Sequence, residues 1–363
     1  MEPQCKRRKP SENETIPWDV FPVLSDEQSQ SITLLDAYAA PIINKKETSR
    51  IVKELTLLYP LPGLQHLKRV RACKGSGSTH PLEVIVCLVN DVRDIDSNTD
   101  MSISTLLPRA KMDSTGLGAP FLVKIPACPP LTRPQFEQAS RHWPTSFHED
   151  KQVTVALKGQ LFTADQKAKM QEYMTAAVMA AKAGQDLGMD AVGAVIVDPQ
   201  SGRILARGHD NRRGTHPLHH AVMVCIDLVA HGQGGGAYNF EKYPACQFLA
   251  VDSSHCPENG DISSSRIMFD SDQAEQSCVP YICTGYDLYV TREPCVMCAM
   301  ALVHSRISRV FYATTSLDGA LGTKYKIHTQ KDLNHHFEVF RGVLKQECED
   351  LKDSSAPIKS LKS

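Results

Sequence analysis

The feature that most constrains this chain is a pair of cysteines, Cys295 and Cys298, directly after Pro294. Hydrophobic periodicity predicts a strand over residues 286–291 and a helix over residues 295–305, so the pair lies where a strand gives way to a helix. Two thiolates at this spacing share one face of the helix, and the helix N-terminus favours their negative charge. A C-x-x-C pair alone is typical of a redox pair as well as of a zinc site.

Two adjacent histidines upstream, His219 and His220, offer a further zinc ligand. They lie at the start of a predicted helix over residues 218–230, which follows a predicted β-hairpin. One histidine and two cysteines supply three zinc ligands and leave a fourth position for water. This is the ligand set of the zinc nucleobase deaminases, whose signature is H-x-E followed by P-C-x-x-C. The sequence therefore predicts Zn²⁺ as cofactor, in a site of the deaminase type.

The stretch over residues 293–310 makes the resemblance more specific. It is similar to the tRNA adenosine deaminases and less similar to the cytidine deaminases. Asp-Gly-Ala at residues 318–320 and Leu-Asn-His at residues 333–335 also match the downstream pattern of that family. The resemblance covers about residues 160–345 and implies a cytidine deaminase-like fold for this part of the chain.

The family pattern implies roles for individual residues. Its spacing favours His220 over His219 as the ligand that joins Cys295 and Cys298 on the zinc ion. Asn211, shortly before the histidine helix, matches the asparagine that holds the substrate base in that family. These residues form the predicted metal site and substrate pocket.

The chain departs from the family where the reaction needs an acid. Family members that react carry a glutamate two residues after the histidine ligand, and this chain has Val222. In the family, that glutamate takes a proton from zinc-bound water and delivers it to the base and the leaving ammonia. A positioned acid or base contributes roughly 10²- to 10⁴-fold to a rate, and valine has no titratable group. The nearest acid downstream is Asp227, five positions on and off the face of Val222, so we expect this chain to have no catalytic residue.

The eukaryotic enzyme that converts the wobble adenosine of tRNA to inosine is a heterodimer, in which one subunit carries the glutamate and the other has lost it. The resemblance and Val222 imply that this chain is the non-catalytic subunit. The implied partners are the Glu-containing subunit and the tRNA anticodon arm. Two alternatives stay open, namely a self-sufficient zinc deaminase that uses another acid, and an RNA-binding scaffold without a deaminase partner.

The order of the elements predicts two domains. Over residues 31–150 the order is β-α-β-β-α-β, the ferredoxin-like pattern of an α+β domain. Over residues 151–350 helices alternate with strands, which predicts an α/β domain with three α/β/α layers, and the resemblance makes it cytidine deaminase-like. Thr163 and Gln166 form a capping-box pattern at the start of its first long helix.

Net charge gives no indication of nucleic acid binding, because 40 Lys and Arg balance 41 Asp and Glu. Any basic surface must therefore be local. The resemblance makes the N-terminal domain the RNA-binding domain, and basic residues cluster there in and after a predicted strand over residues 67–72. An edge strand protected by charge is the alternative interpretation. With a second cluster in the loop beside Asn211, the predicted phosphate contacts are Lys68, Arg69, Arg71, Lys74, Arg212 and Arg213.

The ends of the chain and one internal stretch lack a regular pattern. Residues 1–30 are predicted to be a disordered tail, whose basic run over residues 6–10 is interpreted as a nuclear import signal, an RNA tether or a solvated tail. Residues 351–363 are predicted to be a flexible tail, and residues 232–285 a partly flexible insertion. Irregular spacing in the insertion favours free thiols over a second zinc site at His255, Cys256, Cys278 and Cys283.

The chain shows neither a secretory signal nor an apolar stretch of membrane-spanning length. Its 12 cysteines are therefore expected to be thiols and metal ligands rather than disulfides. We expect a protein of the nucleus and cytoplasm without a membrane partner.

Overall fold

The computed structural model describes residues 18–73, 81–92, 102–107, 112–214, 216–249 and 280–353. The chain divides into an N-terminal unit, Ser25–Val155, and a C-terminal unit that combines Met1–Leu24 with Ala156–Ser363. Several features predicted from the sequence lie outside the described residues, namely the basic run over residues 6–10, Lys74, His255, Cys256, Cys278 and residues 354–363.

The first element of the described residues, strand β1 (Phe21–Pro22), belongs to the C-terminal unit. The N-terminal unit follows with α1 (Asp26–Ser29), β2 (Leu34–Ile42), α2 (Thr48–Leu58), β3 (Val70–Ala72), β4 (Leu82–Leu88), α3 (Ile103–Leu106), β5 (Phe121–Pro126) and α4 (Arg133–His142). After α5 (Lys151–Leu157), which crosses the boundary, come α6 (Ala164–Asp186), β6 (Gly193–Asp198), β7 (Arg203–His209), α7 (Ala221–Gly232), β8 (Gln247–Phe248), β9 (Asp287–Arg292), α8 (Val296–His304), β10 (Arg309–Thr314), β11 (Glu338–Arg341) and α9 (Lys345–Asp353).

The sheet of the N-terminal unit is antiparallel, in the order β3-β4-β2-β5. β4 lies between β2 and β3, which is the split βαβ arrangement of ferredoxin-like domains, so that prediction is confirmed. One face packs against α2 through Ile51 and Leu55. Leu64 and Trp143 are buried against the other face, so the sheet packs against side chains on both sides.

The sheet of the C-terminal unit is mixed, in the order β1-β11-β10-β9-β6-β7-β8. β9, β10 and β11 run parallel, and the other neighbours pair antiparallel. Helices α6 and α9 share a hydrophobic core with Val195 and Phe311 on one face of the sheet. Helices α7 and α8 pack around Ile196 and Val310 on the opposite face. This is the predicted three-layer α/β/α architecture.

Helix α6 begins at the capping box that the sequence predicts. Thr163 Oγ1 accepts from Gln166 N at 3.2 Å, and Gln166 Oε1 accepts from Thr163 N at 2.9 Å. The helix lies so close to β6 that a Cβ on Gly193 would be 2.0 Å from Ala177 O. Only glycine permits this approach of helix and sheet.

The prediction that residues 1–30 form a disordered tail is wrong for the described part, residues 18–30. Trp18 and Val20 are buried in the core that α6 and α9 share, and β1 pairs antiparallel with β11 at the sheet edge. α1 follows, with a capping box between Ser25 and Gln28. Burial of apolar side chains in the C-terminal unit, rather than local periodicity, orders this segment.

Two further segments are more ordered than the sequence predicts. Residues 233–249 of the predicted insertion pack on the C-terminal unit, because β8 pairs with β7 and because three side chains enter the core around α7: Phe240, Tyr243 and Cys246. α9 ends at Asp353, so residues 351–353 of the predicted flexible tail are helical. Cys283, also in the predicted insertion, is a buried free thiol in the core around α7.

Among the described residues, no helix combines the length and the apolar character that crossing a bilayer requires.

Candidate metal centre

His220, Cys295 and Cys298 meet at the N-termini of two helices. His220 is the N-cap residue of α7, Cys295 is the N-cap residue of α8, and Cys298 lies in the first turn of α8. Their ligand atoms all lie within 4.8 Å of one another, and Cys295 Sγ is 3.7 Å from His220 Nδ1. Within the part of the chain that the structure describes, this is the one group of three or more such side chains placed to hold a metal ion.

The donor set and its spacing fit zinc. Tetrahedral zinc, with bonds of roughly 2.3 Å to sulfur and 2.0 Å to nitrogen, holds its ligand atoms roughly 3.5–3.8 Å apart. The hydrogen bond from Cys298, together with His220, lowers the pKa of Cys295 to about 3, which makes Cys295 a thiolate. The same bond raises the pKa of Cys298, because the two sulfurs share one proton. Cysteine binds zinc as the thiolate, so binding of the metal would displace the proton that Cys298 holds.

His219, the competing histidine, is not part of this cluster. Its ring is buried, with ring centroids 4.7 Å from His216, 4.5 Å from Tyr238 and 5.3 Å from Phe240. The structure thus places His220, the histidine that the family spacing favours, beside the two cysteines. His219 instead packs among aromatic rings.

A cavity of about 390 Å³ opens beside the metal-ligand cluster. Its apolar lining includes Val192, Val222 and Val290, and Val222 is only 3% exposed. Val222 lies in the first turn of α7, two residues after His220. The position that carries the acid in reactive family members is therefore an apolar part of the cavity wall.

An ion-pair network forms a polar part of the same lining. Arg212 donates to Asp210 at 2.8 Å and to Asp190 at 2.6 Å, and Arg213 lies 2.6 Å from the other oxygen of Asp190. Burial raises the pKa of Asp210, and the bonds from Arg212 oppose that shift. Burial also lowers the pKa of Arg292, which lines the cavity as well. The two predicted RNA contacts of this loop are thus paired with Asp190, and Arg212 lines the cavity.

Three further acids differ in accessibility and in their contacts. Glu293 is buried and accepts hydrogen bonds from the loop over residues 316–323. Asp318 is an exposed residue of that loop and lines the cavity. Asp227 accepts hydrogen bonds at 2.8 and 3.1 Å from two backbone amides of the loop after α7, so it supports that loop.

Asn211 is fully buried one residue before Arg212. Its Nδ2 is 3.6 Å from Cys246 Sγ, and its Oδ1 has no hydrogen-bond partner among the described residues. Asp210 and Arg212 on either side of it line the cavity, whereas Asn211 is not among the lining residues. Its contact with a base stays a prediction.

The sequence patterns did not single out Asp190, Asp210 or Glu293, which shape the cavity and its surroundings. Their one signal is position, since Asp210 directly precedes Asn211 and Glu293 directly precedes the P-C-x-x-C motif. Hydrogen-bond partners from distant segments give these acids their roles, and local spacing does not reveal such partners.

The basic residues around β3 differ in what they contact. Arg69 donates to three backbone carbonyls at 2.9–3.1 Å. Arg71 forms a 2.6 Å salt bridge with Glu83 and packs 4.2 Å from the ring centre of Trp143. Both arginines are thus engaged inside the N-terminal unit, and β3 is an edge strand, in line with the alternative of a charge-protected edge. Lys68 is exposed, and its contact with RNA stays a prediction.

The three-layer fold and the His-Cys-Cys cluster at two helix N-termini define a domain of the zinc deaminase class. Comparison with known families agrees. Residues 167–314 match the family described as "Cytidine and deoxycytidylate deaminase zinc-binding region". Residues 35–143 match the "tRNA-specific adenosine deaminase TAD3 N-terminal domain".

Three similar proteins narrow the family. The chain is 64% identical over 351 residues to the Danio rerio "Probable inactive tRNA-specific adenosine deaminase-like protein 3", covering 97% of this chain and 99% of that protein. It is 52% identical over 347 residues to the Homo sapiens protein of the same description, with 96% and 95% covered. It is 27% identical over 281 residues to the Schizosaccharomyces pombe "tRNA-specific adenosine deaminase subunit tad3", with 77% and 74% covered.

The chain therefore belongs to the family of the proteins described as "Probable inactive tRNA-specific adenosine deaminase-like protein 3", the TAD3 family. The resemblance inferred from the residues around Cys295 is confirmed.

Proposed function

We propose that this chain is the non-catalytic subunit of a heterodimeric tRNA adenosine deaminase that converts the wobble adenosine to inosine. The observation that carries the proposal is Val222, a buried valine on the cavity wall two residues after His220. The names of the relatives support it, since the vertebrate proteins are called probable inactive and the fission yeast protein is called a subunit.

Deamination of a purine needs proton transfers by a group within hydrogen-bond reach of the base. The lining offers valine where that group is needed, and three acids of the lining, the buried Asp210 and Glu293 and the half-buried Asp190, already bind donors. Asp190 and Asp210 bind arginine, and Glu293 binds backbone amides. We therefore expect no productive proton delivery in this cavity.

The proposal assigns Zn²⁺ to His220, Cys295 and Cys298, in agreement with the zinc-binding family that residues 167–314 match. A zinc ion held there would act as a Lewis acid and would contribute folding free energy. The ligands come from the N-termini of α7 and α8, so they connect two helices of one layer. A zinc ion that only stabilises the fold needs no catalytic acid. This explains why the chain has all three ligands although Val222 replaces the acid.

A Glu-containing deaminase subunit is the proposed partner, because a chain without the acid needs another chain to supply it. The tRNA anticodon arm is the proposed RNA, with the N-terminal unit as a binding surface. Among the predicted contacts, Lys68 and Arg213 are exposed, Arg213 with 66% of its side chain. Phosphate contacts by such cations make the binding constant fall with rising salt concentration.

The proposal includes a location in both nucleus and cytoplasm, and the basic run over residues 6–10 motivates the nuclear part. Replacing this run by alanines in a fluorescent fusion of the full chain tests it. Loss of nuclear fluorescence is the expected result, and an unchanged distribution would contradict the role of the run.

Asp318 allows a test of the alternative that another acid of this chain delivers protons, because it is an exposed acid in the cavity lining. The measurement is the rate of wobble inosine formation by the complex of this chain with a Glu-containing subunit. We expect Asp318→Asn to stay within a few-fold of wild type. A loss of about 10²-fold or more, the usual effect of removing a general acid, would show that this chain delivers protons.

A further inference from the structure

A buried carboxylate, Glu293, links the metal-ligand turn to the loop over residues 316–323, here called the wall loop. Glu293 is 3% exposed and directly precedes Pro294 and Cys295. We propose that Glu293 is a positioning residue of the metal centre, which holds the wall loop against Cys295 and so fixes this ligand and the cavity wall together. The part that concerns metal affinity rests on the proposed zinc binding.

Four donors converge on the Glu293 carboxylate. Oε1 accepts from Leu321 N at 3.1 Å and from Thr323 N at 2.9 Å. Oε2 accepts from Ser316 N at 3.2 Å and from Thr323 Oγ1. Three of these donors are backbone amides of the wall loop, so the carboxylate fixes the path of its main chain. Bonds to an ionised acceptor are stronger than bonds between neutral groups.

The main chain of the wall loop also contacts the metal-ligand turn directly. Ala320 N donates to Pro294 O at 2.8 Å, and Gly319 forms a β-bridge with Cys295. A Cβ on Gly319 would lie 2.1 Å from the carboxyl carbon of Glu293, so only glycine permits this approach. The carboxylate thus packs directly against the loop residue that pairs with the metal ligand.

The wall loop forms part of the cavity beside the metal-ligand cluster. Ser316 and Asp318 line this cavity together with Cys295. Because Ser316 N binds Glu293, a change at Glu293 reaches the cavity wall and the backbone of the ligand at once. Loss of a hydrogen bond that supports a metal ligand typically lowers metal affinity about 10- to 100-fold.

Glutamine cannot reproduce this arrangement, although it has the same size. Its amide nitrogen would face Leu321 N and Thr323 N in one orientation and Ser316 N in the other, which sets donor against donor. At least one backbone amide then loses its acceptor at a buried position, where an unmade bond is destabilising. Glu293→Gln therefore removes the acceptor pattern at constant volume.

The test applies two measurements to the purified full chain, namely the zinc dissociation constant from competition with a chromophoric chelator and the hydrogen exchange of the wall-loop amides. We expect Glu293→Gln to weaken zinc binding about 10- to 100-fold and to speed the exchange. Glu241→Gln removes an exposed glutamate of the same unit and should leave both values unchanged. Unchanged values in Glu293→Gln would overturn the proposal, and so would weaker zinc binding with unchanged exchange.

If the Glu293→Gln chain does not fold, two milder variants at Thr323 test the proposal instead. Thr323→Val removes the hydroxyl donor to Oε2, and Thr323→Ser keeps it. We expect only Thr323→Val to weaken zinc binding and speed the exchange, by a smaller factor, and identical behaviour of the two variants would overturn the positioning role. A wild-type chain that binds no zinc would contradict the proposed function instead. In that case the hydrogen exchange of the wall-loop amides alone tests the positioning role. Faster exchange in Glu293→Gln would support the role, and unchanged exchange would contradict it.

Discussion

His220 and Val222, two residues apart at the start of α7, give opposite indications about the chemistry of this chain. His220 lies with both cysteines in a ligand cluster, whereas Val222 is buried in the apolar cavity wall. A metal centre can stabilise a fold without catalysing a reaction, but proton transfer needs a titratable group within reach. Val222 therefore leaves the site able to hold a stabilising metal ion but unable to transfer the protons of the reaction.

Removing one metal ligand tests the structural use. We expect Cys298→Ser to lose zinc and to unfold at a lower temperature, because zinc at a thousandfold excess over its dissociation constant stabilises the folded state by about 4 kcal/mol. Cys128→Ser, at an exposed cysteine of the N-terminal unit, should retain both properties. Zinc content and thermal unfolding with and without chelator measure the effect. A wild-type Tm that does not respond to chelator would contradict this prediction.

The stability of the C-terminal unit should depend on the protonation of His328. Its ring is buried, with Nε2 2.9 Å from Val23 O and with Nδ1 lacking a hydrogen-bond partner among the described residues. Burial lowers the pKa of His328 from its ordinary value of 6.5, so the unfolded chain binds this proton more readily than the folded chain. The contribution of the neutral ring is fully present above pH 6.5 and is lost as the pH falls through the lower folded pKa.

We therefore expect the wild-type Tm to fall between about pH 7.5 and about pH 5.5, with a smaller fall in His328→Gln. The glutamine amide can donate to Val23 O, as Nε2 does, and does not titrate. Zinc release at low pH affects both proteins alike, so the difference between the two falls isolates His328. Equal falls in Tm would rule out this histidine as a source of the pH dependence.

At the scale of elements, β1 belongs to a short segment that is ordered by two buried side chains. Trp18 and Val20 lie in the core with α6 and α9, and Trp18 Nε1 donates to Gln171 at 3.4 Å. The chain leaves the C-terminal unit at Leu24 and returns to it at Ala156. The N-terminal unit is thus bounded in sequence on both sides by chain that belongs to the C-terminal unit.

Trp18→Ala should destabilise the C-terminal unit by about 3–5 kcal/mol, the usual loss for truncating a buried tryptophan. Phe21→Ala on the same segment is the control, because Phe21 is 43% exposed, and we expect it to change the free energy of unfolding by less than about 1 kcal/mol. Unfolding in urea measures both variants. Equal losses would mean that Trp18 does not anchor the segment.

Elements with local signals were predictable from the sequence, and elements held by distant contacts were not. The capping box of Thr163 and Gln166 placed the start of α6, and motif spacing predicted the ligand cluster that the structure brings together. β1 has no such signal, because Trp18 finds its partner Gln171 153 positions away. The bonds to Glu293 likewise join segments whose meeting depends on the folded sheet.

At the scale of the whole molecule, the proposed function draws on both units. The C-terminal unit contains the metal-ligand cluster and the cavity, and the N-terminal unit has its own sheet and cores. With a formal net charge of −1, the chain has no overall field to attract RNA. The proposed binding of tRNA therefore has to come from local cations and from the proposed partner subunit.

The most direct test of the non-catalytic assignment is the formation of wobble inosine in a tRNA transcript. The zinc-loaded chain alone, its complex with a Glu-containing subunit, and the same complex with the partner's glutamate replaced by glutamine are compared. We predict inosine from the intact complex and from neither of the other two preparations, because Val222 leaves proton transfer to the partner. Inosine from this chain alone, or from the complex that lacks the partner's glutamate, would contradict the assignment.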